Sequence, residues 1–357
     1  LNEFVVKSKS GKRYQDLKVV DPKDEEYSKL MRWIKIATDL PHDNLKTSPF
    51  EDGNLTDFLK NVSNKLDEEL YGMKDVKEQI LLFLNSRLIN PDMKGCSLGL
   101  IGPPGCGKTS IASCIGDVLD FPFQQISFGG VSHSEFLRGH DYTYVGSRPG
   151  EIVRCLLNMK YKNGILFLDE FEKISNNKDI VSTLLHITDF QQNHTYKDNY
   201  LDGIQIDLSR IWFIYSMNNL PDDSALKDRI YTIQVPGYKT KEKVRIVIDY
   251  LFPKVLKNIQ HNDDVIKISD EVAEYLINRV SSDEDKGVRT LEKAVKDIVN
   301  KINFMIHNQD ENGKLIGFSL SFSISKKLSY PLELTKEMID LFCKAVAKNE
   351  TNLSLYM

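Results

Sequence analysis

At about 150 residues per domain, a chain of 357 residues holds two to three domains. Hydrophobic residues make up 41% and charged residues 27%, with 47 Lys+Arg against 51 Asp+Glu and a formal charge of -4. This is the balance of a globular protein, and it gives no electrostatic reason to expect nucleic acid or an anionic membrane as partner. The most apolar runs, such as 164–168 and 211–215, are strand-length, well short of the roughly 18 residues of a membrane span. Five cysteines (Cys96, Cys106, Cys114, Cys155, Cys343) form no C-x-x-C, and the seven histidines no H-E-x-x-H. Neither a disulfide framework nor a zinc site is supported, and a reducing, intracellular compartment is expected. Residues 1–17 lack the apolar core of a signal peptide and begin at Leu, so the expectation is missing first residues or a cut from a longer chain.

Along the chain, residues 1–24 are charged and aperiodic, which reads as an extended or poorly ordered arm. Tyr27, Leu30, Met31, Ile34, Ile36 and Ala37 then fall near helical spacing, ended by Asp39 and Pro41. Residues 43–56 read as a connector, and 55–88 as two amphipathic helices broken at Tyr71 and Gly72. Strands are expected at 97–101, 123–128, 164–168, 211–215 and 232–235, separated by helical segments. That alternation implies an α/β fold with a mostly parallel sheet and helices on both faces. Pro236 and Gly237 break it. Helices are expected at 241–251, 269–280 and 288–306, the last with an apolar stripe of Leu291, Val295, Ile298, Val299 and Ile302. Residues 315–324 alternate as a half-buried strand does, and 334–347 look helical. The expected domains are 1–60, an arm and helical segment; 61–237, a nucleotide-binding α/β domain; 238–308, a small helical lid; and 309–357, a strand and helix extension.

Gly102-Pro103-Pro104-Gly105-Cys106-Gly107-Lys108-Thr109 fits G-x-x-x-x-G-K-[ST] directly after an expected strand and leads into the apolar helix 110–119, beginning at Ser110. Glycines let successive backbone N–H groups close around phosphate oxygens at a helix N-terminus. Lys108 would reach the β/γ-phosphates and Thr109 would ligate magnesium, which makes ATP and Mg2+ the expected ligands. The alternative is a glycine-rich turn that matches by chance. Cys106 is either a redox switch or a small residue filling a variable slot of the loop. Downstream, the apolar run 165–168 ends in Asp169 and Glu170, at the strand edge where open α/β sheets bind ligands. Asp169 would hold magnesium and Glu170 would polarise the attacking water; the plain alternative is an acidic turn.

The pair GPPGCGKTS and ILFLDEFEKIS resembles the AAA+ ATPases, and further stretches are similar to the Lon family. These are LDEELYGMKDVKEQILLFLNSR before the phosphate loop, GGVSHSEFLRGHDYTYVGSRPG after it, residues 184–208, and GVRTLEK at 287–293; the likeness runs from about Tyr27 to Asn308. The resemblance implies that Tyr71 and Gly72 border the adenine pocket, where a plain helix–helix turn is the alternative. It implies that Asn218 is the first sensor, with Asn219 adjacent, and that Arg229 is an arginine finger inserted into a neighbouring subunit's site, where the alternative is a surface arginine. Arg289 would be the second sensor, coupling nucleotide to the angle between domains, unless it merely pairs with Asp285. Tyr144 and Val145, before Gly146, would be the pore loop that grips polypeptide, unless Tyr144 packs in the core. Two features depart from the family: Ser132-His133-Ser134-Glu135 is less acidic than its usual counterpart, and the region after Glu170 is short, which leaves a second pore loop in doubt.

Lon proteins continue into a peptidase domain with a catalytic serine and lysine, and no such site is legible after Gly287, where Ser325 and Lys326 merely adjoin. The expected function is an ATP-driven motor, a homo-oligomeric ring read as a hexamer, that unfolds and threads protein substrates as part of a protease or alone. The alternative is a nucleotide-dependent scaffold or DNA clamp loader. Neither requires a membrane.

Overall fold

The computed structural model describes residues 9–47, 54–89, 95–144, 146–174, 177–259, 265–282, 284–324 and 326–345. They form two compact units: one holds the chain up to Gly102 together with Gly107–Val235, and the other holds Pro103–Cys106 and the chain from Pro236.

In the first unit the order is α1 (Lys9–Leu17), α2 (Glu25–Asp39), α3 (Leu55–Glu69), α4 (Lys74–Leu88), β1 (Ser97–Ile101), α5 (Lys108–Leu119), β2 (Phe123–Ser127), α6 (Glu135–Arg138), α7 (Glu151–Met159), β3 (Ile165–Asp169), α8 (Lys178–Thr188), β4 (Trp212–Met217), α9 (Ser224–Arg229) and β5 (Tyr231–Gln234). The sheet is parallel throughout, in the order β2-β3-β4-β1-β5. Its inner strands β1, β3 and β4 are near-continuous apolar runs, as strands covered on both faces must be, with Leu98, Leu100, Leu166, Phe167, Phe213 and Tyr215 buried. The edge strands β2 and β5 keep Gln125 and Gln234 exposed. The register sets Leu168 beside Tyr215 and Ile101 beside Met217, so β3, β4 and β1 end side by side. Ligand-binding groups of open α/β sheets gather at such carboxyl ends.

Residues 9–17 are helical, where the absence of an apolar stripe predicts an extended arm. The stabilising contact is not a stripe but one cation: the Arg13 guanidinium lies 4.3 Å from the Trp33 ring centroid and 4.1 Å from that of Tyr142. Trp33, fully buried, donates from Nε1 to the Tyr200 carbonyl at 2.8 Å, which fixes α2 on the sheet domain.

In the second unit α10 (Thr240–Ile246) runs through a π turn at Val247–Leu251 into α11 (Phe252–Asn258), followed by β6 (Ile266–Lys267), α12 (Asp270–Val280), α13 (Arg289–His307), β7 (Leu332–Glu333) and α14 (Lys336–Phe342). Pro253 cannot donate to the preceding turn, and the widened π turn lets the helix continue past it. The stripe of α13 is buried and extends to Met305. The strand expected at 315–324 is absent: the segment turns after a single bridge between Gln309 and Leu315, and Ile316 and Phe318 stay exposed, with no partner strand to cover them. Helix α14 is shorter than the expected 334–347, whose last two residues lie outside the described ones. Among the described residues no helix is long and apolar enough to cross a membrane.

Candidate active site

In the first unit β1 delivers the chain to Gly102, whose N–H donates to the Met217 carbonyl at 3.1 Å. A Cβ there would lie 2.0 Å from the Val235 oxygen, so only glycine fits. Gly107 is left-handed (φ 88) and caps α5, which opens at Lys108. The N–H groups of Gly107 and Thr109 have no acceptor among the described residues, which leaves bare donors at a helix N-terminus, the setting that suits a phosphate. Lys108 is only 7% exposed, and its ammonium donates to the Gly102 carbonyl (2.5 Å) and to Asn218 Oδ1 (3.2 Å).

Asn218 follows β4 directly, because that strand runs two residues past the expected end at 215. Its Nδ2 donates to Glu172 Oε1 (2.7 Å) and its N–H to Glu172 Oε2 (3.3 Å). The amide is thereby oriented, oxygen to the ammonium and nitrogen to the carboxylate. Of the neighbouring Asn218 and Asn219, it is Asn218 that meets Lys108.

One strand over, Asp169 ends β3 with Oδ2 accepting from Gln125 (3.1 Å) and Oδ1 from the Glu170 N–H (3.0 Å). Glu170 is exposed and stands at φ 56, a left-handed conformation that costs a non-glycine residue on the order of 1–3 kcal/mol and clusters at functional sites. Its carboxylate lies over Gly129: a Cβ on Gly129 would come within 2.3 Å of Glu170 Oε2. The Thr109 hydroxyl and the Asp169 carboxylate are oxygen donors of the kind magnesium takes alongside substrate phosphates, so both fit the ion.

Elsewhere in this unit, Tyr71 and Gly72 form the turn between α3 and α4, with Gly72 at φ 62 and Met73 at φ 50. Arg229 ends α9 and is 34% exposed, its guanidinium on Asp189 and the Leu185 carbonyl. Tyr144 is 68% exposed on a loop whose base is closed by His140 N–H to the Arg148 carbonyl (3.1 Å), and Gly146 beside it is left-handed at φ 79. Tyr144 is therefore not a core residue; Val145 lies outside the described residues.

The second unit contains the crown of the phosphate loop. The Gly105 carbonyl accepts from Val288 N–H at 3.1 Å, Cys106 Sγ donates to the Lys286 carbonyl at 3.6 Å, and a Cβ on Gly287 would sit 2.2 Å from the Pro104 oxygen. Pro103–Cys106 and the segment up to Arg289 are thus one packed piece. Arg289 opens α13 and is exposed; Asp285 accepts instead from the Gly287 N–H (3.1 Å), and no ion pair joins the two among the described residues.

Four residues of these surroundings escape motif reading. Glu172 lies one turn beyond Asp169, and a third acid at that spacing was a signal for it. Gly129 and Asp189 carry no local signal, since their roles come from chain brought together by the sheet. Asp198, buried, accepts from the N–H groups of Gly150 (2.8 Å), Tyr200 (2.9 Å) and Leu201 (3.2 Å), which ties the foot of the Tyr144 loop to the core. Burial pushes its carboxyl up to about 7 against the pull of those donors.

Residues 98–238 match the family described as "ATPase family associated with various cellular activities (AAA)". The chain is 35% identical over 316 residues to "Lon protease homolog, mitochondrial 1" of Dictyostelium discoideum, covering 86% of this chain and 32% of that protein. It is 33% identical over 297 residues to "Lon protease homolog 2, peroxisomal" of Spinacia oleracea (82% and 32%), and 32% identical over 299 residues to "Lon protease" of Acinetobacter baumannii (83% and 36%). The chain spans about a third of the length of these curated relatives.

Proposed function

From an AAA+ ATPase domain homologous to the Lon protease family, we propose that this protein hydrolyses ATP with magnesium and, in a closed ring of like subunits read as a hexamer, uses the cycle to unfold and thread polypeptide. We read it as the motor of an ATP-dependent protease. The observation that carries the ATPase reading is the connected set Gly102–Lys108–Asn218–Glu172 on neighbouring strand ends of the sheet that also presents Asp169 and Glu170.

The bare N–H groups and Lys108 bind the phosphates. Thr109 and Asp169 would hold the magnesium ion, which neutralises charge on the β- and γ-phosphates when bound. Glu170 takes the proton of the attacking water as its oxygen bonds to the γ-phosphorus and the bond to the ADP oxygen breaks. Asn218, its amide oriented by Glu172 and Lys108, aligns that water. Arg289 acts as the second sensor and Tyr71 and Gly72 border the base. Arg229 serves a neighbouring subunit, where a planar, permanently charged guanidinium matches the transferred phosphoryl group.

Gly129→Ala tests the placement of Glu170. The clash falls on the far end of a flexible side chain, so the melting temperature is expected to change little, while turnover falls by about 10- to 10²-fold because the carboxylate is displaced by the order of an ångström. Unchanged turnover would show that Glu170 works from another position.

Tyr144 carries the polypeptide reading, since an exposed aromatic on a glycine loop grips extended chain by stacking and dispersion without sequence preference. Tyr144→Ala is expected to abolish unfolding of a tagged substrate while basal ATPase stays within a few-fold. Unimpaired unfolding removes the pore-loop assignment. A parent whose ATPase responds to DNA and never to unfolded protein favours a DNA-associated loader or scaffold instead.

A further inference from the structure

Arg229 is tethered at one edge. Its Nη1 donates to the Leu185 carbonyl at 2.5 Å and its Nη2 to Asp189 Oδ2 at 3.1 Å. Both acceptors belong to the end of α8, whose last carbonyls have no N–H partner within the helix and carry its partial negative charge. Asn193 Nδ2 takes the Ile187 carbonyl (3.1 Å), and Arg229 takes that of Leu185. Asp189 itself is held. Its Oδ1 accepts from Gln191 N–H (2.9 Å), and its carbonyl accepts from the N–H groups of Gln192 (2.9 Å) and Asn193 (2.8 Å). One carboxylate oxygen thus locks the turn and the other locks the guanidinium. The Asp189 side chain is 16% exposed against 34% for Arg229, so the anchor is inside and the cation outside.

We propose that Asp189, with the Leu185 carbonyl, is a positioning residue that presents Arg229 in a fixed pose to the phosphoryl group held by a second copy of this chain. The proposal rests on the reading of Arg229 as the finger. A guanidinium has five N–H donors, and these two contacts engage two of them; among the described residues the other three have no acceptor, which leaves them for an anion. A long, flexible side chain normally surrenders its rotamer freedom when it engages; here that freedom is already spent on folding, which lowers the cost of each engagement. The opposite role, a latch that withholds the finger, would bury the Arg229 side chain, and this one keeps a third of its surface open.

The test measures kcat and KM for ATP, assembly by sedimentation and thermal unfolding for Asp189→Asn, Arg229→Ala and the double variant. Asp189→Asn is expected to lower kcat by about 10- to 10²-fold, the scale of a misplaced group, with KM within about two-fold and assembly unchanged. In the Arg229→Ala background it should change nothing further, because the two act as one unit. Should Asp189→Asn lower the melting temperature, Asp189→Glu is measured in its place: it keeps the charge, moves it by a methylene, and is expected to lower kcat by the same factor. Overturning results are an unchanged kcat, a kcat that rises (a latch), or an equal loss with and without Arg229 (support of the fold only). An Arg229→Ala variant with parental kcat would instead sink the finger reading itself.

Discussion

Glu170→Gln is expected to bind ATP as the parent does and to turn it over roughly 10²–10⁴-fold more slowly, the usual worth of a positioned base. The substitution keeps the size and shape of the side chain and removes only its capacity to take a proton. On the proposed reading the phosphate contacts belong to other residues: Lys108, and the N–H groups of Gly107 and Thr109, which have no acceptor among the described residues. Nothing in the fold depends on the Glu170 carboxylate, which is exposed and lies over Gly129. Its φ of 56 persists because Asp169 accepts its N–H and because the Phe128 N–H holds the Asp169 carbonyl at 3.0 Å. Calorimetric titration with ATP beside a steady-state assay separates the two effects. An affinity lost with the rate would reassign Glu170 to binding.

Arg229→Ala carries the second large effect, a fall in ATPase on the order of 10³-fold, the lower range of known arginine fingers. The same change removes two hydrogen bonds at the end of α8, one of them part of an ion pair. With a third of the Arg229 side chain exposed, solvent screening limits that pair to about 1 kcal/mol, so the subunit stays folded. Circular dichroism melts of parent and variant check this: a drop of many degrees would mean that Arg229 is chiefly a cap for α8.

The five strands of the sheet and the phosphate loop are legible in the sequence because both are local. An apolar run between breakers fixes a buried strand, and G-x-x-x-x-G-K-T states its own chemistry. The ends of β4 are less so: the run Ile211–Tyr215 is apolar, but Ser216 and Met217 join the strand through pairing with Leu100 and Ile101, which no local pattern records. Helix α1 is invisible for the same reason, since Arg13 is held by two rings distant in sequence. The alternation at 315–324 misleads in the other direction, because period-two patterning yields a strand only where a partner edge exists. In the candidate site, Lys108, Asp169 and Glu170 are read from motifs, whereas Glu172, Gly129 and Asp189 meet their partners only where the fold brings them together.

The most direct measurement is specific ATPase activity as a function of protein concentration, with assembly followed by sedimentation in the same samples. A site completed by a neighbour's Arg229 predicts that activity per subunit rises with the oligomer and reaches a plateau when assembly is complete, and that Arg229→Ala assembles alike without the rise. Activity per subunit that stays flat from monomer to oligomer would contradict a shared site.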